Sequence, residues 1–441
     1  MALSYTHAKH MLESRGFGIT PGLARIEALT RLLGEPQLRF PTIHLAGTNG
    51  KTSTARLITA ILAAHGLTTG LYTSPHLNDV EERFVLAGWD DGLISEQMTP
   101  DELAETVSYL KPFVELVENE QGEPVTYFEL TTAMAFEWMS ERSVAAGVIE
   151  TGLGGRWDAT NLVDSAVSVL TQVGVDHTAY LGDTPAANAS EKVDIVKPGS
   201  TVVSASQAPE VLQLLEARAG KVGATVVLLG RDFFLDSNET AVGGRSVSMR
   251  TARGSYTELF VPLHGAHQGV NLALAVAATE AFLDRELDFD LLQSALSAAT
   301  SPGRLEVMGR QPLVVLDGAH NPHAAVALKT TLASDFLFKN LTMVLSIFED
   351  KDLRGMLELL VPSADRVIFT RADNPRAAKP EVLRDAAPVV PGQDPPDLVE
   401  PLERAVDRAL EISDDDDMVL VTGSLHAVGE ARRHLLSRSS G

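Results

Sequence analysis

The segment Ile43-His44-Leu45-Ala46-Gly47-Thr48-Asn49-Gly50-Lys51-Thr52-Ser53 restricts this chain more than any other. An apolar run ends in a tight glycine turn, and an amphipathic stretch with Ala55, Ile58, Ile61 and Leu62 follows. That order predicts a buried strand, a turn and the start of a helix. Backbone N–H groups converge at such a turn and the helix dipole adds partial positive charge, so the joint makes a phosphate cradle. Lys51 is placed to reach β- and γ-phosphates, and Thr52 or Ser53 to hold Mg²⁺. The commonest spacing of this motif would put its first glycine at Leu45. The compact Gly-Thr-Asn-Gly-Lys-Thr form belongs to a narrower set of ATP users.

Around this joint the chain alternates strand-like and helical segments. Strands are expected at Thr42–Ala46, Gly70–Thr73, Ala146–Glu150, Val167–Gln172, Thr201–Ala205 and Thr225–Leu229, with helical periodicity over Asp101–Leu116 and Phe128–Ser140. Such alternation predicts a wound, mostly parallel sheet, whose ligands bind at the carboxyl ends of the strands. Gly47, Ser74, Glu150 and His177 all fall at or just after such ends. Short β-type runs at Asp232–Leu235, Ser246–Arg250 and Thr257–Val261, with turns expected at Asp236-Ser237-Asn238 and Gly243-Gly244, predict antiparallel hairpins. A helix is expected at Asn271–Leu283. Ser301-Pro302-Gly303 reads as a linker to a smaller α/β unit with strands Leu313–Asp317, Thr342–Ile347, Arg366–Thr370 and Met418–Val421. A cleft between two such units is a common place for a substrate.

Composition narrows the function. The 441 residues suffice for two or three domains. No apolar run approaches the roughly 18–20 residues of a membrane span, and the first residues lack the basic-then-apolar pattern of a secretory signal. The absence of cysteine excludes disulfides, thiolate metal sites and cysteine catalysis, in keeping with a cytoplasmic protein. A net charge of −23 argues against nucleic-acid binding. It also requires that basic groups and Mg²⁺ be concentrated locally wherever an anion such as ATP binds. The run Asp414–Asp417 reads as a solvated loop before a strand.

Further constellations follow in order: Ser74-Pro75-His76-Leu77; Thr126-Tyr127-Phe128-Glu129; Glu150 with Gly154-Gly155-Arg156-Trp157-Asp158-Ala159-Thr160-Asn161; Asp176-His177; Leu181-Gly182-Asp183-Thr184; Glu191-Lys192; His267-Gln268 with Asn271; Arg304; Asp317-Gly318-Ala319-His320-Asn321. Taken together, from about residue 8 to 430, they resemble the folylpolyglutamate synthase and dihydrofolate synthase family of Mur-type amide ligases.

The resemblance implies an α/β fold with an N-terminal P-loop ATPase domain, residues 1–300, built on a mostly parallel wound sheet plus a small antiparallel sheet. A C-terminal Rossmann-like α/β domain would span 304–441. It implies an ATP-dependent ligase that joins L-glutamate to dihydropteroate, to the glutamate tail of reduced folates, or to both, through an acyl phosphate. Gly47, Thr48, Asn49, Gly50, Lys51, Thr52 and Ser53 would bind the ATP phosphates. Asn271, Arg304 and Asp317 would contact the nucleotide, and His320 would lie near the transferred phosphate. Ser74, Glu150 and His177 would hold Mg²⁺. Lys192 matches a lysine that the family carbamylates, giving a ligand for a second Mg²⁺. Thr126, Tyr127, Phe128, Glu129, Trp157, Asp158 and Ala159 would line the dihydropteroate site. Thr52 departs from the family pattern, standing where many members have glycine. Only 46 residues precede Gly47, fewer than the nucleotide-sugar domain of a cell-wall Mur ligase requires. A monomer is expected.

Overall fold

The computed structural model describes residues 3–16, 22–174, 182 and 184–439. Its largest sheet has eight strands: β1 Thr42–Ala46, β2 Thr69–Tyr72, β3 Phe84–Trp89, β4 Leu93–Gln97, β5 Ala146–Glu150, β6 Ser165–Leu170, β7 Thr201–Ser204 and β8 Thr225–Leu228. They lie in the order β4-β3-β2-β5-β1-β6-β7-β8. β1 runs parallel to β5 on one side and β6 on the other. All five of its residues are buried, as expected for a central parallel strand covered on both faces. The phosphate turn therefore projects from the middle of the sheet, at its carboxyl edge.

β9 Phe234–Ala241, β10 Gly244–Arg250 and β11 Ser255–Val261 form an antiparallel meander. The helix Ala266–Leu283 is wedged between this small sheet and the large one, packing on helix Lys51–Ala64, β6, β7, β9 and β10. It is rich in alanine and leucine because almost every side of it is buried.

The third sheet contains β12 Glu306–Arg310, β13 Leu313–Asp317, β14 Leu341–Leu345, β15 Arg366–Phe369, β16 Asp397–Leu398 and β17 Met418–Thr422, in the order β12-β13-β17-β14-β15-β16. Only β12 is antiparallel to its neighbour. Apolar side chains cover both faces of this sheet in two clusters.

The mixed fold expected from sequence is the fold observed, with three corrections of detail. The turn expected at Asp236-Ser237-Asn238 is strand: β9 runs through it, and the chain reverses at Val242–Gly243 instead. Asn238 is tolerated there because its side chain accepts from Arg245 and donates to the Ala266 carbonyl. The hairpin β3–β4 and the strand β12 were not expected: β4 and β12 lie at sheet edges and lack long apolar runs, whereas β3 is an apolar run that was not assigned to a strand. Asp417, expected in a solvated loop, is buried and accepts hydrogen bonds from the backbone and side chain of Asn340.

Candidate active site

A cavity of about 260 Å³ opens where the carboxyl ends of β1 and β5 face the start of the third sheet. Its floor is the phosphate turn. Gly50 has φ +87°, the left-handed region, and caps helix Lys51–Ala64. A Cβ there would meet Asn271 Oδ1 at 2.4 Å, so only glycine lets helix Ala266–Leu283 approach the turn this closely. Thr48 anchors the turn: its N–H donates to the Gln172 carbonyl at 3.0 Å and its hydroxyl to the Gly174 carbonyl at 3.0 Å. Lys51 Nζ curls back to the carbonyls of Gly47 and Thr48, 3.1 and 3.3 Å away.

The two hydroxyls after Lys51 point in different directions. Thr52 Oγ1 donates to the carboxylate of Glu150, 3.0 Å from either oxygen. Ser53 is buried and pairs with Ser301, in the segment before the third sheet, at 2.9 Å. Glu150 also accepts the backbone N–H of Ser74 at 3.4 Å. Burial pushes the Glu150 carboxyl above its ordinary range, while Lys51, Thr52 and the Ser74 N–H pull the other way. Lys192, at the end of helix Pro185–Lys192, is buried and lines the same cavity. The Arg156 N–H donates to the Glu191 carbonyl at 2.9 Å, tying that helix end to the turn after β5. His177 lies outside the described residues.

Opposite stand the residues from the third sheet. Asp317, at the end of β13, accepts the N–H groups of Leu305 and Ala319 at 3.0 and 2.9 Å. Burial raises its carboxyl, and Arg304 opposes that shift. His320 Nδ1 donates to the Gly318 carbonyl at 2.8 Å, which fixes the ring's orientation. Asn271 Nδ2 donates to Gln268 Oε1 at 2.9 Å. His267, on the same helix as Asn271, is pushed down to about 4 by desolvation at the cavity and by Arg304.

The segments expected at the dihydropteroate site separate by role. Thr126 and Glu129 form a capping box at the head of helix Tyr127–Glu141, and Glu129 also pairs with buried Arg25 at 3.1 Å. Tyr127 stacks under the Arg83 guanidinium. Phe128 packs on the turn that follows Glu150: a Cβ on Gly152 would meet its Cζ at 2.5 Å. Asp158 is buried and accepts from the Leu153 and Thr160 N–H groups, Ala159 is buried, and Trp157 is 54% exposed.

Among the residues whose place escaped the sequence reading are His323, which lines the cavity, and Ser301. His323 Nδ1 lies 3.0 Å from Asn49 Nδ2 of the phosphate turn, and Ser301 takes up Ser53. Neither carries a local signal, because each acquires its place only when the two halves meet.

The Mur ligase middle domain family matches residues 45–279, and the Mur ligase glutamate ligase domain family matches residues 303–425. The dihydrofolate synthase/folylpolyglutamate synthase of Mycobacterium tuberculosis is 38% identical over 97% of this chain and 93% of its own length. The chain belongs to the dihydrofolate synthase/folylpolyglutamate synthase family. The Bacillus subtilis member is 34% identical over 99% of this chain and 100% of its own. Among solved structures, Mycobacterium tuberculosis folylpolyglutamate synthase complexed with ADP superposes with a TM-score of 0.91 at 37% identity, covering 98% of each chain. A family structure described as an FPGS-AMPPCP-folate complex gives 0.81 at 30% identity, covering 98% of this chain and 100% of the other. No described helix is long and apolar enough to cross a membrane.

Proposed function

We propose that this chain is an ATP-dependent amide ligase that joins L-glutamate to dihydropteroate and to the glutamate tail of reduced folates. One observation carries the reading: a phosphate turn, a buried carboxylate beside it and the Asp317–His320 segment share one cavity between the two halves. Family membership supplies the substrates. The residues supply the roles.

Amide formation from a carboxylate is uphill in water, so the carboxylate must first take the γ-phosphoryl group of ATP. The amine of glutamate then attacks the acyl phosphate carbon, loses its proton, and phosphate leaves. Triphosphate, carboxylate and oxyanion crowd one place, so the protein's task is positioning and charge neutralisation. Lys51 and the amides of Gly47–Ser53 hold the phosphates. Asn271, Arg304 and Asp317 contact the rest of the nucleotide, and His320 lies beside the transferred group. Phe128 and Trp157–Ala159, which follow Glu150 in sequence, carry the pterin next to the metal-side carboxylate, and Thr126, Tyr127 and Glu129 shape that wall.

The donors present suit Mg²⁺. Glu150, Thr52 and Ser74 offer oxygen, and this hard cation keeps several waters and phosphate oxygens beside few protein ligands. Bound there, Mg²⁺ would neutralise phosphate charge. His177 and Lys192 complete the proposed set, Lys192 as a carbamate for a second ion. The working unit is a cytoplasmic monomer of two domains, 1–300 and 304–441.

Purified protein is tested for glutamate- and Mg²⁺-dependent ADP release with dihydropteroate and, separately, with tetrahydrofolate. Release with both is the expected result. Release with tetrahydrofolate alone would restrict the activity to polyglutamylation, and silence with both in folded protein would overturn the reading.

A further inference from the structure

The helix Pro322–Asp335 of the C-terminal half touches the N-terminal half at both of its ends. At its start, Asn321 and His323 meet Asn49 of the phosphate turn at 3.4 and 3.0 Å. At its end, the Asp335 side chain is fully buried against Arg245, whose own side chain is 5% exposed. Arg245 Nη1 reaches both Asp335 oxygens, at 3.2 and 3.1 Å. The same carboxylate accepts the Thr240 hydroxyl at 3.0 Å, the Gly265 N–H at 2.7 Å and the Ser334 hydroxyl at 2.7 Å. Arg245 Nε and Nη2 also donate to Asn238, to its side-chain oxygen at 2.5 Å and its carbonyl at 2.6 Å. Beside the pair, His264 stacks on Phe336 with ring centroids 4.6 Å apart.

Three parts of the molecule converge on that carboxylate. Thr240 and Arg245 belong to the small antiparallel sheet. Gly265 opens the helix that carries His267, Gln268 and Asn271 into the cavity. Asp335 closes the helix whose Ala324, Ala327 and Leu328 line the opposite wall. An apolar contact of similar size would hold the halves together as strongly, because a buried ion pair loses hydration that its attraction only partly returns. What the charged pair adds is direction: its hydrogen bonds are satisfied in one relative orientation and broken in others.

We infer that Arg245 and Asp335 form a latch that sets the angle at which the C-terminal domain covers the nucleotide, with the small antiparallel sheet as its seat. Both are positioning residues, acting through the walls of the cleft. The inference rests on the nucleotide reading above, and the test separates the two.

The chain has no cysteine, so two can be added for spin labels without background. Val242, fully exposed at the tip of the small sheet, and Val389, 95% exposed in the C-terminal domain, are suitable as Val242→Cys and Val389→Cys. With ATP and Mg²⁺, the labelled parent is expected to give one narrow distance by pulsed electron paramagnetic resonance. Arg245→Met is expected to broaden it toward longer separations and to raise KM for ATP about tenfold, since apparent affinity scales with the closed fraction. Arg245→Lys keeps the charge and is expected to recover most of both. Thr240→Val, a change at an exposed position, is expected to move both readouts less and in the same direction. A folded Arg245→Met protein with a narrow distance and unchanged KM would overturn the latch. So would an unaffected Thr240→Val protein should Arg245→Met fail to fold. A parent that gives no ADP release would instead fail the nucleotide reading, while the distances still decide the latch.

Discussion

Thr52 Oγ1 and the Glu150 carboxylate are joined at 3.0 Å across 98 residues of sequence, whereas the adjacent Ser53 is turned away and buried against Ser301. The motif alone left either hydroxyl available to a metal ion. The fold gives them different work. Thr52→Val is therefore expected to raise the Mg²⁺ concentration for half-maximal activity about tenfold, a loss typical of removing a group that orients a metal ligand. Ser53→Ala is expected to leave that requirement unchanged and to lower thermal stability by about 1 kcal/mol through loss of a buried hydrogen bond. Mg²⁺ titrations of ADP release check the first, and thermal unfolding the second. An Mg²⁺ response in Ser53→Ala alone would reverse the assignment.

Lys51 is held over the turn by the Gly47 and Thr48 carbonyls, so its charge is in place before any phosphate arrives. Lys51→Ala is expected to reduce turnover more than about a hundredfold, the scale of a lost transition-state charge contact. Steady-state ADP release measures it. Near-normal turnover would remove the phosphate-cradle reading.

Gly152 leaves room for Phe128, whose Cζ would stand 2.5 Å from an added Cβ. Gly152→Ala is expected to cost about 1–3 kcal/mol of stability by overpacking and to raise KM for the folate substrate. Phe128→Leu in the same chain returns the space, so the double variant should regain stability but not folate affinity. Thermal unfolding and substrate titration separate these outcomes, and a double variant no more stable than Gly152→Ala would refute the packing account.

One fully buried histidine gives the fold a pH dependence of definite sign. Burial holds His44 down to about 3, from an ordinary value of 6.5. It stays neutral when folded and takes up a proton on unfolding as pH falls below 6.5. Its stabilisation is thus complete above pH 6.5 and is lost progressively toward pH 3, by at most about 1.4 kcal/mol per pH unit. Urea midpoints measured from pH 7 to pH 4.5 should fall, and His44→Gln should flatten the slope. An unchanged slope in that variant would show that His44 does not contribute.

Much of the molecule was readable in the sequence because its signals are local. The apolar run, glycine turn and amphipathic stretch at Ile43–Leu62 specify a strand, a phosphate cradle and a helix whatever surrounds them, and the alternation of such units demands a parallel sheet. The ordered constellations from Gly47 to Asn321 carried the family. Edge strands β4 and β12 were invisible because solvent, rather than an apolar pattern, meets one side of them.

The sequence by itself thus determined the α/β architecture, the placing of Gly47, Ser74 and Glu150 at strand ends, and the family. Only the tertiary structure decided which hydroxyl meets Glu150, that Phe128 packs on the turn after Glu150, and that Arg245 seats Asp335. The physical reason is distance along the chain. Propensity, periodicity and turn chemistry act over a few residues, whereas each of these pairings is fixed by the packing of whole sheets and helices that bring remote residues into register.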